Sequence, residues 1–146
     1  SGNPHFADDS IRTIPLSIFK RILADKPDRE FYVIQTAVRP TDAAELETLP
    51  HVKFYGELVR DFEDTAALIA LMDLVICVDT SVAHLAGALG KPCWTLLAQV
   101  PDWRYGLTGS AMPWYPSLRL FRQKSDRNWE PVVDALATAL VAFDRH

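Results

Sequence analysis

The chain has 146 residues and a mass of 16.4 kDa, enough for one compact domain at roughly 100–200 residues each. Apolar residues make up 49% and charged residues 23%, which excludes a disordered or fibrous chain. Fifteen Lys and Arg against nineteen Asp and Glu give a net charge of -4; this argues against a nucleic-acid module and leaves no polybasic patch for an anionic membrane.

The chain opens on SGNPHFADDS, polar and without an apolar h-region, so no secretory leader is predicted. A doubly wound fold would open with a strand. Either the chain starts just after one, or residues 1–14 form an entry loop carrying His5, Asp8, Asp9 and Arg12. Residues 15–24 (PLSIFKRILA) place Leu16, Phe19, Ile22 and Leu23 on one helical face, with Pro15 in the first turn. Residues 31–35 (FYVIQ) read as a buried strand, 41–49 as a helix starting at Thr41 and Asp42, and 52–55 (VKFY) as an alternating strand near an edge. A helix over 64–72 follows, apolar nearly all round, with Asp61, Glu63 and Asp64 at its start. Residues 74–78 (LVICV) and 93–97 (CWTLL) are apolar on both faces, as in a parallel sheet covered on both sides. The helix between them, 81–89, ends at Gly90, and Pro92 prevents its continuation. Residues 118–122 (LRLFR) alternate like a second edge strand. The longest helix, 129–143, spaces Val132, Val133, Leu136, Leu140 and Phe143 three or four apart or side by side.

Strands alternating with helices predict the α/β class: a parallel sheet with helices on both faces, in one domain over 1–146 without linker or repeat. Cys77 and Cys93 lie in apolar runs and read as buried reduced thiols, bridged only if their strands are neighbours with suitable geometry. No CxxC and no zinc spacing occurs, so neither metal nor cofactor is expected. Asp73, Asp79 and Gln99 interrupt the longest apolar stretches; no membrane span is predicted, and the expectation is a soluble, cytoplasmic protein. Residues 100–116 (VPDWRYGLTGSAMPWYP) are too long for an ordinary connection, and such a loop is functional or poorly ordered.

Chemistry concentrates at Asp79, Thr80, Ser81 and His84, where an apolar strand runs into a helix. Ligands of open parallel sheets gather at that edge, and the unpaired N–H groups and positive dipole end of a helix suit a phosphate. Asp79 or Thr80 can act as N-cap, and no Glu or Gln follows at N3 to complete a capping box. Plain helix capping with a packed histidine is the competing reading. A Ser/His/Asp triad does not fit three residues within one helical turn, and GxSxG, GxGxxG, Walker and HExxH patterns are absent. Arg12 near a helix start could pair with a phosphate, or simply sit in a solvated loop. Trp103, Arg104, Trp114 and Tyr115, followed by Arg119 and Arg122, could stack on a base or sugar, or merely cover the sheet edge.

The string DTSVAHLAGALGKPCW resembles the donor-binding segment of the heptosyltransferase-like glycosyltransferases of family 9. SGNPHFADDSIRTIPL, DFEDTAALIALMDLVICVDTS, PDWRYG and PWYPSLRLFRQ extend the resemblance over nearly the whole chain, and toward bacterial members fused to tetratricopeptide repeats. The resemblance implies a GT-B architecture of two Rossmann-like halves. This chain would be the C-terminal half, a single donor-nucleotide-binding domain, with the acceptor-side N-terminal half and the repeats as its partners. It implies a nucleoside-diphosphate sugar as substrate, held by Arg12, Asp79, Thr80, Ser81 and His84 without a metal, and a catalytic base on the other half. Ser81 stands where the family often has Gly. Gln35 and Asp42 are positional candidates for the ribose, and Trp103, Arg104 and Trp114 for base or sugar. The alternatives are a non-catalytic scaffolding module of a repeat protein that works through the aromatic loop, and a small hydrolase.

Overall fold

The computed structural model describes residues 9–24 and 28–143, without the side chains of 9, 10 and 24. His5, Asp8 and the Asp9 side chain lie outside what is described. In chain order the elements are α1 (Asp9–Arg12), α2 (Leu16–Ala24), β1 (Phe31–Val33), α3 (Pro40–Leu46), β2 (Val52–Phe54), α4 (Phe62–Leu71), β3 (Val75–Val78), α5 (Ser81–Ala88), β4 (Cys93–Leu97), β5 (Leu118–Arg122) and α6 (Glu130–Phe143). Two 3-10 turns, Gly56–Leu58 and Trp103–Tyr105, complete them.

Strand β4 is buried at all five positions and lies between β3 and β5, parallel to both. Its side chains alternate, as the two-residue period of a strand requires. Trp94 and Leu96 join a cluster with Val78, Phe121 and the α6 residues Val132, Val133, Leu136 and Leu140, to which α2 adds Ile22. Cys93 and Leu97 join the opposite cluster, with Ile69 of α4, Ala83 and Ala86 of α5, and Tyr105 and Met112 of the long loop. Helices therefore cover both faces, and β5 forms an edge as its alternation predicts.

The strands do not all share one sheet. Among the described residues β1 pairs only with β2, in parallel, and β3-β4-β5 form a separate sheet. β1 ends at Val33, and the next residue, Ile34, packs its side chain into the cluster under α4 and α5 instead of extending the ladder. Other differences have local causes. α1 is helical where a loop is predicted. α4 starts two residues early because the Asp61 carboxylate accepts from the Glu63 and Asp64 N–H groups at 2.9 and 3.0 Å. α3 starts at Pro40, whose fixed φ suits the first helical position.

The two cysteines are free, with Sγ atoms 3.7 Å apart. Cys77 pairs in register with Thr95, two residues beyond Cys93. That offset on strands about 4.8 Å apart separates the two Cα atoms by about 8 Å, past the roughly 7 Å a disulfide spans without backbone movement. They pack as thiols.

Gly87, inside α5, lets the Tyr115 ring lie directly on the helix, since a Cβ there would overlap it. Gly87→Ala should therefore lower stability by about 1–3 kcal/mol through overpacking, despite the better helix propensity of Ala. A urea midpoint that stays level or rises would show that Tyr115 can swing away at no cost.

Candidate functional site

The C-terminal end of β3 leads through Asp79 and Thr80 into α5. Thr80 takes the N-cap position in an extended conformation, yet its hydroxyl makes no cap bond. It turns back to donate to the Val78 carbonyl at 3.3 Å. The first turn of α5 thus keeps its N–H donors clear of any capping side chain, in contrast to α4, where Asp61 occupies them. Ser81, exposed at the first helical position, adds a hydroxyl beside them.

Arg12 reaches this junction from α1. Its Nη1 donates to the Asp79 carbonyl at 3.1 Å and lies 3.7 Å from Asp79 Oδ1. Burial pushes the Asp79 carboxyl above the ordinary range, opposed chiefly by the Arg12 guanidinium. Oδ1 is buried and accepts no hydrogen bond among the described residues. The carboxylate thus sits beside a cation whose guanidinium is held by the carbonyl of the same residue.

His84, one turn into α5, is half-buried, with its ring centroid 5.8 Å from both Tyr105 and Tyr115. Tyr105 is 2% exposed, its hydroxyl has no partner among the described residues, and burial pushes its phenol well above the usual range. It is a neutral donor at any physiological pH.

The long loop is firmly built. Asp102 caps the 3-10 turn by accepting from the Arg104 N–H at 3.0 Å and from its guanidinium at 2.9 and 3.0 Å. Arg122, at the end of β5, donates to four loop carbonyls: Tyr105 at 2.5 Å, Gly106 at 2.9 Å, Thr108 at 3.2 Å and Gly109 at 2.6 Å. Trp103 and Trp114 stand out of this scaffold, 70% and 60% exposed, with ring centroids 6.3 Å apart and planes at 77°. The Arg104 guanidinium lies over Trp103 at 4.7 Å. Arg119 instead lies over Phe121 and Trp94 at 4.9 and 5.7 Å.

The fold therefore brings Arg12, Asp79, Thr80, Ser81 and His84 to one edge of the three-stranded sheet, with Trp103, Arg104 and Trp114 on the adjoining loop. Gln35 and Asp42 belong to the β1–β2 part. Gln35 donates to the Ala37 carbonyl, and Asp42 is engaged by Arg39 at 2.8 Å. Sequence reasoning missed Asp102 and Tyr105. Asp102 sits in a Pro-Asp turn signature that was available to be read. Among the described residues no group of three or more His, Cys, Asp or Glu is placed to hold a metal ion, and no helix is long and apolar enough to cross a membrane.

The family model described as Glycosyltransferase family 9 (heptosyltransferase) matches residues 38–134, about two-thirds of the chain. The chain belongs to that family. Protein FlbA of Caulobacter vibrioides is 40% identical over 87 residues, covering 60% of this chain and 14% of that protein. The solved structure of E. coli heptosyltransferase WaaC with ADP superposes over 95% of this chain and 42% of that one, with a TM-score of 0.72 at 17% identity. This chain thus spans less than half the length of either relative, and at that identity the likeness to WaaC shows the fold.

Two outcomes check the geometry. Because burial raises the Asp79 carboxyl, the folded chain holds that proton more tightly than the unfolded one. The contribution is fully present below the unfolded value, about 3.9, and is lost as pH rises through the folded value. The melting temperature of Asp79→Asn relative to the native chain should therefore climb from pH 4 to pH 7, and a flat difference refutes the assignment. Arg122→Ala should speed chymotryptic cleavage after Leu107 about tenfold or more, since hydrogen bonds to a charged group are each worth about 1.5–3 kcal/mol. Arg122→Lys, which lacks the planar fork, should resemble Ala; native-like resistance in both variants would mean that the loop holds itself.

Proposed function

We propose that this chain is the donor-binding domain of a GT-B glycosyltransferase that takes a nucleoside-diphosphate sugar. The observation that carries the reading is the uncapped first turn of α5 with Arg12 beside it. Backbone donors and a positive dipole end meet a phosphate there without losing a competing cap. Thr80 and Ser81 supply hydroxyls, and His84 approaches from one turn further in. Asp79 holds Arg12 at the junction through its carbonyl and carboxylate.

In glycosyl transfer the bond from the sugar to the diphosphate breaks as an acceptor hydroxyl attacks, and negative charge grows on the departing diphosphate. Arg12, His84 and the α5 N–H groups stabilise that charge where it develops. Membership of the heptosyltransferase family, and the ADP that accompanies WaaC in its solved structure, support a nucleoside diphosphate as the leaving group. The base that activates the acceptor belongs in this reading to a partner half, joined with tetratricopeptide repeats in a longer cytoplasmic protein. The isolated chain binds donor and turns nothing over.

Calorimetric titration with ADP, UDP and GDP tests the reading. At least one should bind, and Arg12→Ala should weaken it about tenfold or more, the worth of a charge-assisted contact. His84→Ala should weaken it while leaving the thermal transition intact. If the folded chain binds none of the three, the donor-domain assignment falls.

A further inference from the structure

We propose that Trp103 and Trp114 form a corner that binds an uncharged pyranose ring, one indole face taking the sugar's C–H face and the other indole closing its edge. Two tryptophans left mostly in water on a mobile segment would mean little. Here each is held out by a rigid mount. Trp103 sits in a 3-10 turn capped by Asp102, on the stretch that Arg122 pins by the carbonyls of residues 105, 106, 108 and 109. Trp114 lies between buried Met112 and Tyr115, which packs on Gly87. The rings meet at 77° with centroids 6.3 Å apart, so they present two walls instead of a flat patch.

The rim selects the occupant. Arg104 Nη1 donates to both Asp102 carboxylate oxygens while its guanidinium lies over one face of Trp103, which sets hydrogen-bonding groups next to the apolar rings while leaving no net charge. A pyranose has that same division, with C–H faces that suit the electron-rich side of an indole and a belt of hydroxyls around them. A flat apolar protein surface has no hydroxyl belt for that rim, and a charged ring gains nothing from a neutralised pair. The proposal rests on the donor-domain reading for what carries the sugar. The corner itself needs no phosphate.

The chain supplies its own controls, because Trp94 and Trp129 are buried while Trp103 and Trp114 are not. Methyl β-D-glucopyranoside titrated to high millimolar concentration should move the indole N–H resonances of Trp103 and Trp114 and leave those of Trp94 and Trp129 in place. Trp103→Ala and Trp114→Ala should each weaken that binding about 2- to 12-fold, the range of one aromatic contact. Arg12→Ala should leave it unchanged, so failure of the diphosphate reading and failure of the corner are told apart. The corner is overturned if no indole moves, or if all four move together. It is equally overturned if adenosine moves the pair and the glucoside does not, or if the pair is covered by a dimer that Trp103→Ala dissolves.

Discussion

Strand β4 has no face to give to water, and much of the architecture follows from that. With Trp94 and Leu96 turned one way and Cys93 and Leu97 the other, the sheet requires cover on both sides. α6 with α2 provides one layer; α4, α5 and the inward residues of the long loop provide the other. Parallel strands need crossovers: α5 carries the chain from β3 to β4, and the long loop carries it from β4 to β5. The same constraint aligns the strand ends, so β3 delivers Asp79 to the edge where α5 begins.

At that edge the structure makes a choice that stability alone would not favour. Thr80 could cap α5 and instead turns its hydroxyl back to Val78. Asp79 stays buried, with a cation near one oxygen and its carboxyl pushed upward. An uncapped helix start and a desolvated carboxylate each cost stability. Their occurrence at one junction, in a chain of the heptosyltransferase family, is the pattern expected where binding competes with folding.

Much of this was legible in the sequence. β4 and β5 fall on the residues their composition marks, because a fully buried strand and an alternating edge strand carry strong periodic signals. The Asp79–His84 segment was visible as the point where an apolar strand runs into a helix, but Asp-Thr-Ser is also an ordinary capping sequence, and only the fold shows Thr80 leaving the cap unmade. Three features were not legible, for physical reasons. The division into two sheets is a matter of which strands meet in the tertiary structure, which no local pattern encodes. The four-residue α1 is too short for any periodicity. Arg122 looked like one more arginine beside aromatics, because its partners are main-chain carbonyls 13–17 residues away, and carbonyls leave no trace in side-chain patterns.

That last contact has a consequence for how the molecule can change. A loop shaped by side-chain packing loses its form when those side chains are exchanged. A loop shaped by one guanidinium reading carbonyl oxygens keeps its form under exchanges that spare buried Tyr105 and the positive-φ Gly106 and Gly109, since elsewhere every residue offers the same acceptor. Leu107, almost fully exposed between two anchored carbonyls, is thereby free of structural duty. The segment behaves as a cassette: its outward residues can drift toward new ligands while the arch that carries them stays fixed.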